Sequence, residues 1–371
     1  MEITEYLPGE EIFILELRKL FQSRGYRKYR MGTLEEYDLY ADNRAFLTTE
    51  SIITFQDARG RLMALKPDVT LSIVKNSRAP KCGERLYYLE NVYRLQPGGE
   101  YKEIAQMGLE CIGGVDRYTT LEVLSLALES LRAAGRPYLL ELSHMGLVEA
   151  LLGAQGVSRA LLPAALSALS KKSEQELAAL ACAAGLSPEQ KTRLASLART
   201  GGPLAQVLPE LRRLCNDAPD AAAALEELET LEADLNALGL DANVRLDLST
   251  VNSIDYYTGI IFRGYLDGVP RAVLSGGRYD KLMERFDKSA GALGFALYLN
   301  ELGRVFGKAD DYDADVLLLY GPADAPAEVF SAAQALGAQG KRVSVRPEMP
   351  EGYRCRQVIR LGENGQEVYN A

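Results

Sequence analysis

Four short polar segments carry residue types suited to holding a small charged molecule. In "LKPDVT", Asp68 and Thr70 follow a proline that fixes the backbone before them. In "NVYRL", Arg94 interrupts an apolar run of β character. In "IAQMGLECIGG", Gln106 and Glu110 stand four residues apart, an even spacing that puts both on one face of a strand. In "IDYYTG", Tyr256 and Tyr257 sit side by side behind an aspartate, and "SGGRYD" follows further along. Taken singly, each has an ordinary structural reading. A strand arginine forms ion pairs, alternating polar residues line the wet side of a sheet, and "GGRYD" is a turn that uses glycine's backbone freedom. Taken together they match a zwitterion: carboxylates for an amine, amide and hydroxyl groups for orientation, tyrosines for walls.

Other chemistries find little support. His144 is the only histidine, which argues against a Ser-His-Asp or Cys-His nucleophile and suggests a structural or surface role. Five cysteines (Cys82, Cys111, Cys182, Cys215, Cys355) are scattered with no C-x-x-C spacing, so reduced thiols are expected and no zinc cluster is evident. No metal or nucleotide cofactor is expected. The formal charge of −9 gives no general attraction for phosphate backbones. The basic-aromatic run "RGYRKYR", Arg24 to Arg30, reads as the solvated end of a helix followed by a strand. No apolar run approaches the ~18 residues of a membrane span, and the acidic N-terminus does not resemble a secretory signal. A cytoplasmic protein without membrane attachment is the expectation.

The elements that must position these residues follow from periodicity. Apolar Ile12, Leu15, Leu17, Leu20 and Phe21 predict a helix from Pro8 to Arg24, stopped by Gly25. Extended segments surround the turns "DARG" and "QPGGE", and the second pair predicts an antiparallel hairpin. "YTTLEVLSLALESLRAAG" is a helix ended by glycine. Residues 146–240 become rich in alanine and leucine, with caps at Ser173 and Ser187, and read as a helical insertion. β character returns from Val244 to Gly277, "GALGFALYLNELGRVF" reads as a helix, and residues after Asp310 alternate strand and helix. Strands interrupted by a helical excursion predict an α+β fold on one antiparallel sheet. The expected division is a core of 1–310, with the insertion inside it, and a small α/β lobe of 311–371.

In this order and spacing, "LKPDVT", "YRL…EIAQMGLECIG", "IDYYTGIIF", "SGGRYDKL" and "GFALYLNEL" resemble the catalytic core of histidyl-tRNA synthetase. The resemblance covers most of residues 5–145 and 244–306. It implies a class II aminoacyl-tRNA synthetase fold, an antiparallel sheet flanked by helices and normally dimeric, with the last lobe resembling a reduced anticodon domain. It also implies that Asp68, Thr70 and Gln106 hold a ligand's α-amino group, that Glu110 and Tyr257 flank an imidazole beside Tyr256, and that Arg94 meets the carboxylate. Asp68 stands where the synthetase has glutamate.

The departures fall on the ATP side. Asn252, Ser253 and Ile254 replace the synthetase's Arg-Gly-Leu, Glu301 replaces an ATP-facing arginine with Arg304 three residues on, and Tyr93-Arg94-Leu95-Gln96 loses a carboxylate. Glu100 and Glu103 occupy a loop that is usually basic. Fixed cations supply much of the stabilisation in adenylate formation, so no adenylation is expected. Such a core resembles the regulatory subunit of ATP phosphoribosyltransferase, which is non-catalytic. That resemblance implies a short catalytic subunit as partner, a homodimer within a hetero-octamer, and feedback inhibition by histidine at the first step of histidine biosynthesis. tRNA is not expected as a partner. The alternatives are a divergent histidyl-tRNA synthetase and a synthetase-like binding module with another partner.

Overall fold

A computed structural model describes residues 7–47, 52–78, 83–95, 98–251, 256–303, 305–306, 312–362 and, for the backbone, 365–370. Two compact units emerge: residues 13–305, and residues 306–371 together with 1–12.

The larger unit begins within helix α1 (Gly9–Ser23), which the short strand β1 (Arg27–Lys28) follows. The stripe that α1 buries is Phe13, Leu17 and Phe21, spaced by fours, while Leu15 of the predicted stripe is exposed. Gly25 follows at φ 80°, a left-handed turn that glycine adopts without a side-chain clash. In the basic run, Tyr26 is buried, Arg24 pairs with Glu129 at 3.4 Å, and Arg27, Lys28 and Arg30 are exposed. Strands β2 (Leu34–Glu36), β3 (Thr54–Gln56) and β4 (Leu62–Leu65) form a small antiparallel sheet, with helix α2 (Asp38–Ala41) between the first two. Helix α3 (Thr70–Asn76) leads to the expected antiparallel hairpin, β5 (Glu84–Leu95) and β6 (Tyr101–Gly113).

Helix α4 (Arg117–Ala133), capped by the Asp116 side chain, returns the chain to strand β7 (Tyr138–His144). The alanine-leucine region forms α5 (Met145–Ala154), α6 (Leu162–Ser170), α7 (Glu174–Ala183), α8 (Pro188–Ser196), strand β8 (Gly201–Pro203), α9 (Leu204–Cys215) and α10 (Ala222–Ala237). Ser173 caps α7, and Ser187 forms a reciprocal capping box with Gln190 at α8. Strands β9 (Val244–Asp247), β10 (Ile260–Leu266) and β11 (Leu274–Arg278), helix α11 (Asp280–Arg285), strand β12 (Gly291–Tyr298) and helix α12 (Leu299–Leu302) complete the unit.

Nine strands make one sheet in the order β1-β5-β6-β12-β11-β10-β7-β9-β8. The class is α+β with helices flanking the sheet, but the sheet is mixed. β1 runs parallel to β5, and β9 runs parallel to β7. The insertion is also not purely helical, because β8 pairs with β9 and extends the edge. A second correction concerns "GALGFALY", which is the central strand β12 and not a helix; only Leu299–Leu302 is helical. Its apolar run lacks alternation because β12 is covered on both faces between β6 and β11, and its glycines disfavour a helix.

The smaller unit holds β13 (Ala314–Leu319), α13 (Pro326–Gly337), β14 (Val343–Arg346), β15 (Cys355–Gly362) and β16 (Gly365–Asn370). Its sheet order is β14-β13-β15-β16. Val316, Leu318 and Ile359 pack with Val329 and Leu336 of α13, and Leu317, Leu319, Cys355 and Val358 form a second cluster.

Candidate functional site

All seven residues singled out from the sequence line one cavity: Asp68, Thr70, Arg94, Gln106, Glu110, Tyr256 and Tyr257. It encloses about 120 Å³, room for a small molecule. The cavity also takes in residues that sequence reasoning missed, among them Tyr88, Tyr279, Tyr298 and Phe46. Tyr88 had a usable signal, since it lies an even number of residues before Arg94 and so shares its face of β5.

Strand register explains the convergence. Glu90 pairs with Gln106 and Leu86 with Glu110 across the hairpin, while Tyr298 pairs with Gln106 and Gly294 with Glu110 across β6 and β12. Gln106, Gly108 and Glu110 therefore point the same way, flanked by Gly294, Ala296 and Tyr298. Glycine at the central positions makes the space. A Cβ on Gly108 would lie 2.3 Å from the Phe295 carbonyl oxygen and 2.6 Å from the Tyr88 hydroxyl, and one on Gly294 would lie 1.8 Å from Glu110 Oε2.

Asp68 is set by the segment before α3. Lys66, almost fully buried, pairs with Glu90 at 2.5 Å, and its carbonyl accepts from Tyr93 N–H at 3.0 Å. Arg94 Nε donates to the Pro67 carbonyl at 2.9 Å, with Nη2 3.8 Å from Asp68 Oδ2. Asp68 Oδ1 accepts from Leu71 N–H at 2.8 Å. Burial raises the Asp68 carboxyl above its ordinary range, opposed by the Arg94 charge and the helix amides.

Glu110 lies at the base of the cavity, 2% exposed. Thr70 Oγ1 donates to its Oε1 at 2.8 Å and the Tyr279 hydroxyl donates to its Oε2. Burial outweighs both hydrogen bonds and, with nearby Asp68 adding to it, pushes this carboxyl up to about 8. Tyr256 and Tyr257 stack edge-on with centroids 4.4 Å apart, and Phe46 and Tyr279 each lie 6.0 Å from Tyr256. Burial raises the hydroxyls of Tyr88, Tyr256, Tyr257 and Tyr279, so these walls are neutral donors at physiological pH.

On the side where the resemblance places ATP, Glu301 faces Arg271 at 3.9 Å. Glu103 accepts from Asn91 Nδ2 at 2.6 Å and from the Tyr93 hydroxyl at 2.9 Å. Glu100 is exposed. Gln96, Asn252, Ser253, Ile254 and Arg304 lie outside the described residues. His144 sits apart from the cavity lining. Its Nδ1 accepts from Leu147 N–H at 3.2 Å, capping α5, and its Nε2 meets Glu227 at 3.1 Å. Among the described residues there is no group of three or more His, Cys, Asp or Glu side chains that could hold a metal ion, and no helix long and apolar enough to cross a membrane. The cavity presents two buried carboxyls, one guanidinium, an amide and a set of tyrosine hydroxyls to a small polar molecule.

Comparison with known proteins identifies the family and the fold. A family model described as histidyl-tRNA synthetase matches residues 10–302. An ATP phosphoribosyltransferase regulatory subunit of Symbiobacterium thermophilum is 32% identical over 315 residues, covering 81% of this chain and 77% of that protein. One from Geobacter sulfurreducens is 30% identical over 354 residues, covering 91% and 80%. The solved structure of an ATP phosphoribosyltransferase regulatory subunit/histidyl-tRNA synthetase from Bacillus halodurans is similar with a TM-score of 0.78 at 26% identity, covering 95% of this chain and 93% of that one.

Proposed function

Since this chain belongs to the histidyl-tRNA synthetase family, and within it to the ATP phosphoribosyltransferase regulatory subunits, we propose that it acts with a short catalytic subunit at the first step of histidine biosynthesis and makes that step sensitive to histidine. It is a regulatory subunit and performs no catalysis itself. What supports the reading is a cavity lined by Asp68, Thr70, Arg94, Gln106, Glu110, Tyr256 and Tyr257, together with a glutamate, Glu301, where the resemblance to the synthetase places an arginine. A site that keeps recognition and gives up the cation is suited to sensing an amino acid, not activating it.

In this reading histidine lies with its α-amino group at Asp68, Thr70 and Gln106, its carboxylate toward Arg94, and its imidazole between Glu110 and Tyr257 beside Tyr256. Regulation follows from differential affinity: histidine favours one arrangement of the assembly and the active complex another. The assembly is a cytoplasmic hetero-octamer in which this chain forms homodimers.

The test is phosphoribosyl transfer from phosphoribosyl pyrophosphate to ATP by the short catalytic subunit of the same organism, with and without this chain, across a histidine titration. A raised rate that histidine suppresses is the expected result. An unchanged rate with no co-elution of the two proteins overturns the reading.

A further inference from the structure

Outside the cavity, one lysine ties together the two elements that hold Glu110. Helix α3 brings the Thr70 hydroxyl to Oε1, and Tyr279, at the start of α11, brings its hydroxyl to Oε2. The far ends of both helices meet at Lys288. Helix α11 closes with Asp287 in the left-handed region at φ 56°. Asp287 N–H bonds the Glu284 carbonyl at 3.0 Å and Lys288 N–H bonds the Met283 carbonyl at 3.1 Å. This is the paired closure of a Schellman ending, with aspartate where glycine is usual.

That turn aims the Lys288 ammonium at the C-terminal end of α3. There it donates to the carbonyls of Val74, Lys75 (3.0 Å) and Ser77 (2.6 Å). Carbonyls in a last helical turn have no partner within the helix, and three acceptors use all three ammonium hydrogens. Helix α3 has only seven residues, so it owes its position to such anchors rather than to its own cooperativity. Arg285, one turn earlier, donates to the Asp42 carbonyl at 2.8 Å beyond α2.

We propose that Lys288 is a positioning residue of the amino-acid cavity: by fastening the end of α3 to the end of α11, it keeps the Thr70 and Tyr279 hydroxyls on Glu110 together. The proposal rests on the cavity's reading as a histidine site only for its ligand readout. Both hydroxyl bonds hold the Glu110 carboxyl down against burial, so loosening them moves its titration upward.

The experiment uses the full chain as wild type, Lys288→Met, Lys288→Arg and Thr70→Val. Carbon-13 NMR follows the Glu110 carboxyl through pH, and calorimetry measures histidine binding. Lys288→Met should raise the Glu110 midpoint in the same direction as Thr70→Val and weaken histidine binding about tenfold, the scale of one or two lost hydrogen bonds. Lys288→Arg, whose guanidinium can serve several carbonyls, should restore both. A Lys288→Met protein that melts earlier yet keeps the wild-type midpoint and affinity overturns the proposal and leaves the lysine as a helix anchor alone. If the wild type binds no histidine, the reading of the cavity fails while the Glu110 midpoint still decides the role of Lys288. Should Lys288→Met not fold, Lys288→Gln is read by the same two criteria.

Discussion

Replacing Glu110 by glutamine tests whether a titratable group is held dry at the base of the cavity. The glutamate is 2% exposed, its two oxygens accept from Thr70 and Tyr279, and burial shifts its carboxyl from the ordinary 4.5 to about 8. A folded-state value above the unfolded one means that the protonated form suits the fold. The associated stability is complete below the unfolded value and is lost as pH rises through the folded value. At about 1.4 kcal/mol per pH unit, the rise from 4.5 to about 8 corresponds to a loss of about 5 kcal/mol across that window. Glutamine is near-isosteric and does not ionise; one hydroxyl partner can still donate to its amide oxygen while the other turns to accept from its amide nitrogen. Urea unfolding of wild type and Glu110→Gln at about pH 5 and about pH 9 should therefore show the variant gaining roughly 4 kcal/mol on the wild type over that interval. Tyrosine emission follows the unfolding, since the chain has twenty tyrosines and no tryptophan. Parallel pH dependences for the two proteins would show that Glu110 is already ionised in the fold and would refute the reasoning.

Three further outcomes follow from the same geometry. Histidine affinity should be greatest between about 6.5, the free imidazole, and about 8, the Glu110 carboxyl, because the complex shares one proton between them. Binding falls on either side, and calorimetry showing a steady rise or fall across that range would contradict the imidazole placement. Gly294→Ala puts a methyl group 1.8 Å from Glu110 Oε2 and 2.4 Å from the Leu109 carbonyl oxygen, so it should destabilise by about 1–3 kcal/mol and abolish histidine binding, as thermal melting and calorimetry would reveal. His144→Ala removes the cap on Leu147 N–H and should cost about 1 kcal/mol in chemical denaturation while leaving histidine affinity unchanged.

How much of this could be read from the sequence depends on where each signal resides. Gln106 and Glu110 were legible because strand alternation is local: an even spacing fixes a shared face whatever the rest of the chain does. Arg94 was legible as a polar interruption of an apolar run and Asp68 by the proline before it, though the Arg94–Pro67 bond that joins their segments depends on a tertiary contact that local pattern does not encode. The helix expected in "GALGFALYLNELGRVF" failed for the opposite reason. A strand paired on both sides and covered on both faces has no polar face to alternate, so its composition matches that of a buried helix. Its glycines were the better guide. Gly294 faces Glu110 across the ladder, at a spot where a side chain would fill the site. Tyr279 was seen only as part of a turn, because its reach to Glu110 is set by how α11 docks and not by spacing along the chain. Lys288 was invisible for the same reason, since its three partners lie more than two hundred residues earlier. Residues proposed to touch a ligand could be recognised from local pattern. Those that aim the first group depend on long-range packing, and their effects should appear in the Glu110 titration even where no ligand contact is lost.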